Sequence, residues 1–238
     1  YNQSKDMEQA KYVLSEYVRN ETENVEAGID SLKSQDLGSY YIYSAPYVLL
    51  ALDAVGVADS ELTECTNTRE SLIDKIADYL IDSSSYLDVD LLGMTLPALA
   101  RYNTEDYPQV QTAVEKGITW LSDQQGQDGT WNSNANSTAM AVVALSALGI
   151  DAHTDSRFIK NDTSAVEGLL SFALADHSGF GYKGNVTYNA MATEQGFRAL
   201  VAYARMKDNN KPYNIYLEAK DSTGVVPAPD ITATGKPG

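Results

Sequence analysis

Asp88 and Asp90, in the stretch Asp88-Val89-Asp90-Leu91, are the two residues of this chain best placed for acid chemistry. An aspartic acid that donates a proton must be held neutral, which takes burial or a second carboxylate close by. The same two residues stand at the start of an apolar run, where an Asp commonly caps a helix by accepting backbone N–H bonds. Capping is the commoner fate at such a boundary. Metal chemistry has less to work with. Cys65, the single cysteine, is far in sequence from His153 and His177, and no Cys/His spacing suits zinc. One cysteine also rules out an intramolecular disulfide. Asp123 to Gly129 lacks the alternating oxygen ligands of a calcium loop. The sequence therefore calls for no metal and no cofactor, and the catalytic candidates reduce to Asp88 and Asp90.

Recognition has more candidates than reaction does. Tyr, Asp and Asn gather where the apolar segments begin: Tyr40, Tyr41, Tyr43, Asp88, Asp90, Asn132, Asn134, Asn136, Tyr182, Asn185, Tyr188 and Asn189. Flat aromatic faces beside amide donors and acceptors suit a sugar, a corrinoid or a peptide. Turns and N-caps draw on the same residue types, so the set competes with a purely structural explanation. Sequons occur at Asn20, Asn136, Asn161 and Asn185, a number that an Asn-rich chain contains by chance.

The background composition is that of a globular protein, with 43% hydrophobic and 21% charged residues. At 238 residues it can bury one large core. The net charge of −16 sets up a field that repels a phosphate backbone and an anionic bilayer, which argues against nucleic-acid partners. The longest apolar run, Ala139 to Ile150, falls short of the ~20 residues that span a membrane. The chain has no basic-then-apolar leader at its start. It reads as a piece of a longer protein.

The elements that would position these residues follow from periodicity. Asp6 to Arg19 carries Met7, Ala10, Val13, Leu14 and Tyr17 on one helical stripe, and Asn24 to Lys33 extends to another turn or two. Ser44 and Pro46 open an apolar helix over Tyr47 to Val55 that Gly56 stops. Arg69 to Ile81 is amphipathic; Leu91 to Ala100 is apolar with Pro97 as a kink or irregularity. Pro108 starts a helix whose Val110, Val114, Ile118 and Leu121 share one face through Gln125. Asn136 or Ser137 caps the apolar Ala139 to Leu148, ended by Gly149. A fourth pair covers Ser164 to Ala175 and Tyr188 to Met206, joined at Gly179-Phe180-Gly181-Tyr182.

Leu52, Leu99, Leu145 and Leu200 fall in register, separated by 47, 46 and 55 residues. Repeats of this length are stacked supersecondary units. In each pair the first helix has two faces and the second is apolar throughout, so the second must be covered on all sides. Two concentric layers satisfy that need. The expected fold is an all-α, α/α toroid of about four helix hairpins over residues 1–216. Residues 217–238, rich in Pro and Gly, read as a linker or the start of another domain.

Lys116-Gly117, Trp120-Leu121, Gln125, Gly129 and Trp131 fill every defined position of the QW motif of squalene and terpene cyclases. Weaker copies stand at Gly28/Gln35/Gly38/Tyr40 and Gly168/Phe172/Gly179/Phe180; the second unit keeps only Tyr86. Asn189 to Gln195, followed by Ala199 to Tyr203, is similar to the last repeat of prenyltransferase-like domains on Gram-positive cell-surface proteins. Those domains are related in fold to intrinsic-factor-type cobalamin carriers. The resemblance implies that Gly117, Trp120, Leu121, Gln125, Gly129 and Trp131 are structural, with Gln125 on the Trp131 ring tethering neighbouring helices.

Activity carries over less well. The acid motif Asp-x-Asp-Asp of class II cyclases has Leu91 at its last position, and the prenyltransferase zinc ligands have no counterpart. Thr193-Glu194-Gln195 lacks the cysteine of a thioester motif. The combined expectation is a secreted or wall-attached bacterial module that holds an unknown small molecule, glycan or protein, or spaces other extracellular modules. The alternatives are a terpenoid cyclase or prenyltransferase-type enzyme and a cobalamin-type carrier.

Overall fold

The computed structural model describes residues 27–34, 36–38, 41–82 and 87–217. The Asp6–Arg19 stripe, Tyr40, Tyr86 and 218–238 lie outside these residues. The regular structure of the described residues is mostly helical, with one two-stranded ribbon of two residues per strand. A helical stretch, 27–34 (α1), precedes α2 (Ala45–Val55), α3 (Arg69–Asp82), α4 (Val89–Leu99) and α5 (Pro108–Gln124). Then follow α6 (Ala135–Ala147), the strands β1 (Ile159–Lys160) and β2 (Thr163–Ser164), α7 (Ala165–Leu170) and α8 (Ala190–Asn209).

Each boundary has a local cause. Pro46 sits in the first turn of α2, and Gly56 ends it with a left-handed φ of 73°. Asp88 caps α4, its Oδ1 accepting the Leu91 N–H at 2.8 Å. Pro97 donates no N–H, and two residues beyond it α4 gives way to a 3₁₀ turn, Ala100–Tyr102. Asn134 caps α6, with Oδ1 accepting from Ser137 N at 2.9 Å. This corrects the expectation of Asn136 or Ser137: the left-handed pair Asn132 and Ser133 sets the chain's direction, and Asn134 is the first residue after it in extended backbone.

The apolar second helices pack in succession, α2 on α4, α4 on α6 and α6 on α8. α3 packs on α5, and each apolar helix packs on the amphipathic helix that follows it, α2 on α3, α4 on α5 and α6 on α7. Of the pairs expected from the sequence, α3 and α4 are in contact. Burial follows the sequence pattern in the middle of the chain. Every residue of α4 except Asp90 is buried, and α6 is buried on all sides. α5 buries Val110, Ala113, Val114, Gly117, Ile118 and Leu121, the stripe its period specifies. Leu92, Leu96 and Leu99 are wholly buried, each contributing about 1.5–3 kcal/mol. Close approach needs small residues here. A Cβ on Gly93 of α4 would stand 2.6 Å from Met140 Cβ of α6.

The last unit departs from expectation. α7 starts where expected but ends at Leu170 rather than reaching Ala175, and the chain then bridges Ala173 to Phe180. Nor is α8 apolar all round. It buries Ala192, Gly196, Ala199, Ala202 and Met206 and leaves Met191, Phe197 and Val201 exposed. Among the described residues no helix is long and apolar enough to cross a membrane.

Candidate functional site

Two joints hold the helix ends in place. In the first, Trp131 is 1% exposed and its indole N–H donates to Leu121 O of α5 at 2.9 Å. Gln125 Nε2 donates to Gly129 O at 3.0 Å and to Phe158 O at 3.1 Å, tying the end of α5 to its own turn and to the segment leading to α7. Gly129 adopts φ +77°, and a side chain there would meet Ser164 O. Gly117 lies against Leu96 and Leu92, while Trp120 is half-buried. Gln125 bonds to backbone carbonyls, and the ring beside Trp131 is that of Phe158, with centroids 6.2 Å apart. The second joint repeats the first at the head of α8. Asn189 Oδ1 accepts from Ala192 N at 2.9 Å, and Phe180 N–H donates to Thr193 Oγ1 at 2.9 Å. In the first joint Trp131 N–H donates to Thr138 Oγ1 at 3.1 Å. Cap and threonine are four residues apart in both.

A cavity of about 510 Å³ opens at the N-terminal ends of α2 and α4. Ile42, Tyr43, Pro46 and Tyr47 form one side, Asp88, Asp90, Leu91 and Met94 the other, and Asn132 reaches in from the turn before α6. Four candidates separated by up to 89 residues of chain, Tyr43, Asp88, Asp90 and Asn132, thus meet in one cleft. Tyr43 and Tyr47 are each 56% exposed, four residues apart and so on one face. Pro46, Leu91 and Ile42 are buried and make an apolar floor. Asp88 and Asp90 are both exposed. Asp88 spends one oxygen on its cap, and Asn132 Nδ2 donates to Ser137 Oγ at 3.2 Å. The arrangement can grip a group that offers hydrogen-bond donors or positive charge together with an apolar face.

The other candidates are placed elsewhere. Tyr41 stands edge-on to Tyr79 of α3 at 6.3 Å, and burial, aided by Asp78 and Asp82, pushes its hydroxyl pKa up. Asn134 and Asn189 are helix caps, with their side-chain oxygens already engaged. Asn136 is half-buried on α6, and its Oδ1 has no hydrogen-bond partner among the described residues. Tyr182, Asn185 and Tyr188 sit exposed on the loop leading to α8, joined to α6 where Ala135 N–H donates to Tyr182 O at 3.0 Å. Cys65 Sγ contacts Glu61 O, and Asp128 of the calcium-like stretch accepts from Thr130 within its own turn.

Sequence reasoning missed two groups. Tyr47 passed as core because it lies in an apolar run, although its i, i+4 relation to Tyr43 was visible. Asp53, the one charge in Tyr47 to Val55, is buried and holds Arg69 Nε at 2.9 Å and Tyr102 Oη at 2.8 Å, with Arg101 at 3.5 Å. Burial and the Asp53 carboxylate raise the Tyr102 hydroxyl pKa well above its ordinary value. That network ties α2 to the start of α3 and the end of α4, a structural role. No known protein family, curated protein or solved structure matches this chain.

Proposed function

We propose that this chain is a non-catalytic binding module of a bacterial surface protein, an α/α toroid of four hairpins with its ligand site in the Tyr43/Tyr47/Asp88/Asp90/Asn132 cleft. Support for the ring comes from the succession α2, α4, α6, α8 and from the strap that follows α8. Pro212 lies against Gly149, Tyr213 N–H donates to Ser146 O at 2.9 Å, and Asn214 Nδ2 donates to Pro97 O at 2.7 Å. The 3₁₀ turn Ile215–Leu217 then reaches α2, with Arg198 of α8 donating to Tyr216 Oη at 2.9 Å. The last unit is thereby linked to the first. The prenyltransferase-like kinship and the extracellular setting rest on the motif residues of the sequence alone.

The cleft itself carries the reading: residues from three units converge on one partly apolar cavity. The enzyme alternative fits less well. A proton donor needs an enclosed carboxyl, whereas Asp88 and Asp90 are exposed and Asp88 is engaged as a cap. Two carboxylates would also repel a prenyl diphosphate. Thermal unfolding against neutral oligosaccharides, lysine peptides and corrinoids tests the proposal. A true ligand adds about 2.7 kcal/mol at a hundred times its Kd, and Tyr47→Leu removes the gain. A flat response to every probe, or turnover of a polyene or prenyl diphosphate, overturns it.

A further inference from the structure

The cleft has an uneven electrostatic make-up. Among the described residues that line it are two carboxylates and no Lys, Arg or His. Elsewhere three of the partly or fully buried carboxylates are ion-paired, Asp53 with Arg69, Asp151 with Lys207 and Asp155 with Arg157, and Asp74 accepts from Gln109. Asp90 has no ion-pair or hydrogen-bond partner among the described residues, and Asp88 has a free oxygen beyond its cap. The dipole of α4 accounts for acids at its first turn. It does not account for the two half-exposed tyrosine rings that share the cavity with them, or for the apolar floor below. Rings and carboxylates around an apolar floor form the setting in which an ammonium or guanidinium is held, by charge from one side and by the ring face from the other. The net charge of −16 draws such a group in from a distance.

We infer that the cleft takes a cationic side chain, a Lys or Arg presented by an exposed peptide segment of a partner protein. This rests on the cleft being the binding site, and it narrows the ligand from the wider set of sugars, corrinoids and peptides. The aliphatic stem of the side chain covers Pro46, Leu91 and Met94 while its charged end meets Asp88 and Asp90. The cavity of about 510 Å³ leaves space for flanking peptide backbone beside Asn132.

Isothermal titration calorimetry of the full 238-residue chain with an end-blocked Gly-Lys-Gly-Lys-Gly peptide tests the assignment. The same peptide with acetylated lysines and a neutral hexasaccharide serve as comparison probes. The lysine peptide should bind, the acetylated one should not, and raising salt from about 50 to about 300 mM should weaken binding severalfold. Asp90→Asn should cost about tenfold in affinity, while Asp123→Asn on α5, an equal change in net charge, should cost less than twofold. Equal losses in the two variants would mean diffuse attraction and would overturn the inference, as would binding of the acetylated peptide at unchanged affinity. Hexasaccharide binding that Tyr47→Leu abolishes and Asp90→Asn ignores overturns the cationic ligand and leaves the cleft standing. If no probe binds, cleft and ligand fall together.

Discussion

α6 and α8 begin alike and end up differently. Each starts from an Asn cap followed four residues later by a Thr that catches the backbone of a turn aromatic, Trp131 in one case and Phe180 in the other. Only two residues separate Trp131 from its cap, and α6 is buried on every side. Eight separate Phe180 from its cap; that loop carries exposed Tyr182, Val186 and Tyr188, and α8 shows Phe197 and Val201 to solvent. The same joint therefore serves two ends: locking a helix inside, or launching one along the edge. Full burial belongs to the middle of the chain, exposed aromatic surface to its flanks. The proposed cleft lies where the buried α4 meets the flank at α2.

Mutation should expose that difference. Trp131→Ala removes a buried ring and its hydrogen bond to α5, and unfolding should become easier by about 3–5 kcal/mol, read from denaturant midpoints. A smaller loss would mean that the joint is not the anchor. Acid comes next in size. Burial works against the Asp151 carboxylate, but hydrogen bonds from Lys207, Thr154, the His153 N–H and Tyr203 outweigh it and hold its pKa below the ordinary Asp range. A folded-state pKa below the unfolded one stabilises when the group is ionised. Its contribution is complete above about pH 5 and erodes as pH falls through about 4 and below. Tm should drop over that window, and Asp151→Asn should flatten this part of the curve while lowering Tm at neutral pH. The least effect is expected at Phe197, 47% exposed on α8. Phe197→Ala should change stability by about 0.5–1 kcal/mol at most; a larger loss would show that α8 is covered on that side.

The reach of the sequence varied along the molecule for physical reasons. Periodicity revealed α5 because one polar and one apolar face alternate cleanly over Pro108–Gln124. It revealed α4 and α6 because a helix without a polar face has to be enclosed. It over-extended α7, since the bridge from Ala173 to Phe180 that follows Leu170 is a backbone matter that periodicity does not carry. At the head of α6 Asn132, Ser133, Asn134, Asn136 and Ser137 are all of cap type, and only the turn geometry selects Asn134. The candidate set at the helix starts was chosen by residue type. Four of its members meet in the cleft because they stand at the same end of successive units. Asn134 and Asn189 went to caps, for which the same chemistry is suited. Tyr47 and Asp53 were hidden by apolar neighbours.

The central claim is that the cleft at the heads of α2 and α4 is where a ligand binds. Amide NMR of the chain during titration with the lysine peptide tests it most directly. Shifts confined to residues 41–47, 88–94 and the turn at Asn132 are the predicted result. Shifts spread over the acidic surface, or centred on the outer face of α5 around Thr119 and Asp123, would contradict it.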